Sequence, residues 1–190
     1  MRKENKRELI LNALEELLPG RRFHEITLDE VAKAAQVGKG TIYLYFQDKD
    51  ALFAELVCFR LGKLQEQLAD LAGSSIEELP GKVFELVGDF IRRHRSWFGA
   101  IGNFASHIAR MTDQQYEQVR NQGGNVVTAL AEVMQGAMPQ WSSAEARFKA
   151  QNLLWLIDGY IRSEFAGVSE LPPPEELISF FRRGAGINEK

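Results

Sequence analysis

A single cysteine, Cys58, is all the thiol chemistry the chain possesses, so no disulfide can form within it, as suits a reducing compartment. Histidine is nearly as scarce. His24, His94 and His107 stand far apart, with no HxxxH pair, cysteine cluster, glycine-rich phosphate loop or nucleophile elbow to support a metal centre, a cofactor or catalysis. No apolar run approaches the roughly 18 residues of a membrane span, and the start, MRKENKRELI, lacks the apolar segment of a signal peptide. A cytoplasmic protein is expected. Also missing is the apolar-polar alternation of half-buried strands, which excludes a β-sheet architecture.

A basic excess is absent too. The net charge is −3, which by itself argues against nucleic acid as a partner, but its distribution matters more than its sum. Residues 1–50 hold nine Lys/Arg and nine Asp/Glu, so the deficit lies entirely in residues 51–190. Between positions 31 and 47 stand Lys33 and Lys39 with no acid, and Arg2, Lys3, Lys6 and Arg7 form a second basic cluster. These are the surfaces able to face phosphates.

What is present is helical periodicity along nearly the whole of the 190 residues, and 45% hydrophobic content is enough to bury a core. The expected fold is all-α with about nine helices: an N-terminal domain over 1–50 and a C-terminal helical bundle over 51–190. A first helix over 3–18 is stopped by Pro19-Gly20, and Thr27 with Glu30 forms a capping box that starts the second. Ala35-Gln36-Val37-Gly38 reads as a tight turn before a third helical pattern, 39–46, and a long helix runs from near Asp48 to about Leu71. Later helices are expected over 82–95, 97–111, 113–138, 143–166 and 173–183, the last closed by Gly184.

Two short helices joined by a tight turn, the second small, basic and aromatic on its outer face, make a helix-turn-helix. Gly38 and Gly40 thin its leading end for close approach to a groove, while Lys39 and Thr41 reach out as donors. Ile42 and Phe46 face inward, Tyr43 and Tyr45 present hydroxyls, and Lys49 places a charge beside the free amides of the next helix. The alternatives are a packed three-helix unit with half-buried tyrosines, or a helix-turn-helix used for protein contacts. The stretch FHEITLDEVAKAAQVGKGTIYLYFQDKDALFAEL closely resembles the DNA-binding region of the TetR family of bacterial transcriptional regulators. The resemblance implies a homodimer with its recognition helices in the major groove of a palindromic double-stranded operator, and a divergent C-terminal domain that binds a small-molecule effector, most often as a repressor. By motif position it implies backbone contacts from Thr27, Tyr43, Tyr45 and Lys49, and base-facing positions at Lys39, Gly40 and Thr41.

The C-terminal half is less specific. Trp97, Phe98, Ile101, Phe104, His107 and Met111 gather on one helical pattern, with Trp155 and Asp158 on another; they read either as bundle core or as the lining of an apolar or amphipathic ligand pocket. Asp158 can instead pair with Arg162, four residues on, and the Arg92–Arg95 run is either a solvated helix end or an anion trap. Leu153, Leu154, Ile157, Ile161 and Phe165, together with Leu177, Ile178, Phe180 and Phe181, form more apolar surface than one bundle should need, and are expected at a two-fold seam.

Overall fold

The computed structural model describes residues 3–21, 23–95 and 111–187, and among them stand eight α-helices, one 3₁₀ turn and no strand. The helices are α1 (Lys3–Leu17), α2 (Leu28–Ala34), α3 (Lys39–Tyr43), α4 (Lys49–Ala69), α5 (Leu79–Arg93), α6 (Asp113–Ala137), α7 (Ser143–Phe165) and α8 (Pro174–Ala185). The helix expected over 97–111 lies outside the described residues, Met111 apart. None of the described helices is long and apolar enough to cross a membrane.

Two compact units result. The first runs to Arg60 and takes in α6 as far as Asn121; the second holds Leu61–Arg95 and resumes at Gln122. In the first unit the buried stripe of α1 is Ile10, Leu11, Leu14 and Leu18, with Leu9 left at the surface. Ile26, Val31, Ile42, Phe46, Leu52 and Phe53 close the core around it. Ion pairs fasten its edge: Arg7 to Glu55, and Arg60 to Glu15, with Arg60 also donating to Asn12 Oδ1 at 2.7 Å. From α6, Gln118 donates to Glu55 at 3.0 Å. Cys58 is a free, half-buried thiol that burial pushes up to about 11, which leaves it protonated and unreactive at neutral pH.

The second unit packs α5 against α7, with α8 on both. Val83, Phe84, Val87 and Ile91 of α5 are buried, as are Leu153, Ile157 and Ile161 of α7 and Phe181 of α8. Those four, expected at a two-fold seam, have their apolar surface already buried inside the chain, whereas Leu154, Phe165, Leu177 and Ile178 of the same expectation are half-buried and Phe180 is exposed. Close approach is possible because Gly88 carries no side chain; a Cβ there would meet Ile161 Cδ1 at 3.4 Å and Arg92 Nη1 at 3.2 Å. Above that contact Arg92 grips Glu164 with a two-pronged bond of 3.0 and 3.1 Å. Tyr160 sets its ring edge-on to Phe84 and donates its hydroxyl to Pro172 O at 2.7 Å, tying α7 to the proline segment before α8.

Helix ends follow backbone rules with two departures from expectation. Pro80 and Gly81 lie in the first turn of α5, where a missing N–H costs nothing, so the helix starts before them rather than after. Gly184 lies inside α8, and Gly186, at φ 74°, closes it with Ile187 N–H bonded to Arg182 O at 2.9 Å. The start of α2 is held by the expected box: Glu30 N–H donates to Thr27 Oγ1 at 3.2 Å, and Thr27 N–H to the Glu30 carboxylate at 2.7 Å. Ser142 and Glu145 repeat it at α7.

The Thr27 amide, the Arg21 guanidinium at 2.9 Å and the Thr27 hydroxyl together hold the Glu30 carboxyl down to about 2, against an ordinary 4.5. Because the folded value is depressed, its contribution to stability is complete above pH 4.5 and is lost as pH falls toward 2. Denaturation of Glu30→Gln across that range should show a shallower acid decline than wild type, since Gln keeps the cap bond without the charge. Thr27→Ala should cost about 1 kcal/mol at neutral pH.

Candidate nucleic-acid interface

The turn between α2 and α3 sets the direction of everything that follows it. Val37 N–H reaches back to Ala32 O at 2.9 Å and Gln36 N–H to Lys33 O at 3.2 Å, the double bond of a Schellman ending. In such an ending the residue after the cap must be left-handed. Here it is Gln36, at φ 54°, where α7 and α8 use Gly167 and Gly186. Gly38, in ordinary extended geometry at φ −71°, then caps α3 without any side-chain bond.

Five residues of α3 carry little of their own stability, and the helix is placed by what it buries. Ile42 is fully buried and Phe46 nearly so. The helical pattern expected to Phe46 ends formally at Tyr43, although Phe46 N–H still bonds to Ile42 O at 2.9 Å. On the opposite face, four residues apart, stand Gly40 and Leu44. A Cβ at Gly40 would meet nothing within 4 Å, and Leu44 is 80% exposed. Tyr43 is exposed beside them, Tyr45 is half-buried with its ring against Phe46, and Thr41 is half-buried.

The donors expected around this helix are all within the first unit, and several are already engaged. Lys39 Nζ lies 2.8 Å from Asp29 Oδ2, an ion pair between the leading turns of α2 and α3 that raises the lysine above its ordinary value. Both side chains remain largely in solvent. The Thr27 amide and hydroxyl both donate to Glu30. Lys49 opens α4 with its ammonium 4.4 Å from the centre of the Phe23 ring, which itself stacks on Phe53 at 4.8 Å. Asp48 caps the same helix, accepting from Ala51 N–H at 2.7 Å. Sequence reading had missed Leu44, Asp29 and Gln36: a leucine reads as core, an aspartate in a first helical turn reads as a dipole partner, and a glutamine gives no signal of positive φ.

Of the expected ligand residues, Met111, Trp155 and Asp158 are among the described residues. Trp97, Phe98, Ile101, Phe104 and His107 lie outside the described residues. Met111 is half-buried, and Trp155 is 65% exposed on α7, which corrects its placement in a pocket. Asp158 pairs with Arg162 at 2.7 Å, the simpler of its two readings. Of the arginine run, Arg92 pairs with Glu164 and Arg95 lies over the Phe165 ring at 4.7 Å, while His94 is buried with Nδ1 2.7 Å from Phe90 O.

Residues 10–56 match the family model described as bacterial regulatory proteins, tetR family. Over 63 residues the chain is 36% identical to the uncharacterized HTH-type transcriptional regulator YhgD of Bacillus subtilis, a match that covers 33% of each chain. Over 61 residues it is 31% identical to the fatty acid metabolism regulator protein of the same organism, 32% of this chain and 31% of that one. The matched stretch thus spans about a third of the length of these relatives. Two solved structures share the fold over nearly their whole length. The fatty acid degradation regulator FadR from Bacillus halodurans has a TM-score of 0.64 at 16% identity, covering 98% of this chain and 96% of that one. A TetR transcriptional regulator from Rhodococcus sp. RHA1 gives 0.63 at 20%, covering 98% and 97%. The shared architecture is an N-terminal helix-turn-helix followed by a C-terminal helical domain.

The turn itself supplies a test. Gln36→Gly removes a side chain from a left-handed position whose Cβ clash costs roughly 1–2 kcal/mol in non-glycine residues, partly offset by glycine's greater freedom when unfolded. Thermal denaturation should show a net gain of up to about 1 kcal/mol. Gln36→Val should lose stability, because a β-branched side chain tolerates that region worst.

Proposed function

We propose that this chain, whose residues 10–56 match the family model described as bacterial regulatory proteins, tetR family, is a cytoplasmic, ligand-responsive transcriptional regulator that binds a palindromic operator as a homodimer and represses until a small molecule releases it. The observation that carries this reading is the outer face of α3. A glycine costs a helix stability and is kept where something must come close. Gly38 and Gly40 have no such neighbour among the described residues: a Cβ would find only Thr41 Oγ1 at 3.9 Å beside the first and nothing within 4 Å beside the second. A groove edge is the neighbour their absence of side chain would serve.

The roles follow from position. Lys39, Gly40 and Thr41 face base edges; Tyr43, Tyr45 and Lys49 hold the phosphate backbone, with Lys49 at the amides that open α4. Thr27 has both donors on Glu30, so it reaches a phosphate by exchanging that carboxylate. The functional boundary is drawn near residue 50, at the start of α4. That helix is unbroken from Lys49 to Ala69 and belongs to both units, so an effector favouring one setting of α4 changes the spacing of the recognition helices. An apolar or amphipathic effector accords with the aromatic content of 97–111 and with relatives named as regulators of fatty acid metabolism and degradation. Dimerisation is assigned to the apolar groups that α7 and α8 leave exposed, Phe148, Trp155 and Phe180.

Selection from random duplex DNA should return a palindrome, and failure to enrich any sequence would remove the reading. On the selected site, Lys49→Ala should weaken all duplexes and reduce the log K against log salt slope by about 2 per dimer. Gly40→Ala should raise folding stability by roughly 0.5–1 kcal/mol while weakening operator binding at least tenfold, a split that a purely structural glycine would not produce. Phe180→Glu should yield folded monomers by sedimentation, whereas Phe181→Glu should fail to fold, because Phe181 is only 5% exposed.

A further inference from the structure

The Lys39–Asp29 pair is costly if α3 binds DNA. Asp29 is 67% exposed at its side chain, in the leading turn of α2, and would face a polyanion. A carboxylate there weakens every duplex by repulsion. Among the described residues its partner is the ammonium of Lys39 at 2.8 Å, ten residues away and on the other helix of the motif. Neighbouring Glu30 is engaged by Thr27 and Arg21 and does not reach it. Helix geometry fixes both ends of the bond, α2 through its capping box and α3 through Ile42.

Resting on the functional reading above, we propose that Asp29 is a specificity-determining residue: it holds Lys39 in an internal ion pair that phosphates of non-cognate DNA must break and that a cognate base edge need not. An ammonium has three donors. With one on Asp29, two remain, which is the number a guanine presents acceptors for at O6 and N7 in the major groove. At a cognate site the lysine therefore adds its base bonds and keeps its carboxylate. On a non-cognate sequence the matching pair of acceptors is not at that position, and a phosphate oxygen competes for the ammonium with the Asp29 carboxylate, one anion exchanged for another with little net gain. Asp29 thus lowers affinity everywhere and lowers it most where the sequence is wrong.

The test compares full-length wild type, Asp29→Ala, Asp29→Glu, Lys39→Met and the double variant Asp29→Ala/Lys39→Met on the selected palindrome and on its scrambled duplex. Glu25→Gln serves as a control that removes the same charge nearby. Asp29→Ala should bind scrambled DNA about tenfold tighter, with its salt slope steeper by about 2 per dimer as two lysines are released to phosphates. Palindrome affinity should change less than threefold, so discrimination falls. Asp29→Glu should retain most of it, and in the Lys39→Met background Asp29→Ala should leave the ratio unmoved. Equal tightening on both duplexes, as expected for Glu25→Gln, would overturn the proposal by reducing Asp29 to bulk charge. A wild type that discriminates while Asp29→Ala discriminates equally well removes this inference alone; a wild type that discriminates nothing removes the functional reading with it.

Discussion

Five residues are too few to be a helix unaided. The first turn of any helix fixes several dihedrals for one hydrogen bond, and α3 has scarcely more than a turn. Its existence rests on the burial of Ile42 and Phe46 in the first unit and on the left-handed Gln36, which aims the chain into it. The outward face is a consequence of that constraint. Once Ile42 is fixed inside, Gly40 and Leu44 can only be outside, and the exposed leucine is the price of a helix that must bury one side to exist.

Local rules were the part of the structure most open to reading in advance. Thr27 with Glu30, Asp48 before α4 and the inward Ile42 and Phe46 are all set by near neighbours, and the structure has them as expected. The misses have a common cause. Periodicity tells which face of α7 and α8 is apolar but not what covers it, and α5 covers Leu153, Ile157, Ile161 and Phe181 from within the same chain. Gly184 and Gly186 are indistinguishable to a rule that asks only for glycine after a helix; the bond from Ile187 to Arg182 decides between them. Of the candidate interface, the residue types and their order were legible. Their engagement was not, since the pairing of Lys39 with Asp29 depends on the angle between two helices.

That engagement unifies the front of the molecule. The donors most obviously suited to an anion are held by the chain's own acids: Lys39 by Asp29, the amide and hydroxyl of Thr27 by Glu30, Arg21 also by Glu30. A polar surface so arranged is satisfied in water and does not collect counter-ions indiscriminately. These pairs are part of how the nine cations and nine acids of residues 1–50 balance to zero charge.

The division of the chain into its two units does not follow the order in which it is made. Residues up to Arg60 share a unit with α6 as far as Asn121, while 61–95 belong with the segment after Gln122. A nascent chain leaving the ribosome therefore exposes α1 to α4 before Gln118, the partner of Glu55 at 3.0 Å, has been translated. Vectorial synthesis cannot finish the first unit and then begin the second; the two must be completed in an interleaved order. The same topology restricts recombination in evolution. A cut at the end of the helix-turn-helix transfers α2 and α3 intact but leaves behind the stretch of α6 that shares their unit, so a transplanted front end must find a substitute for that stretch in its new host.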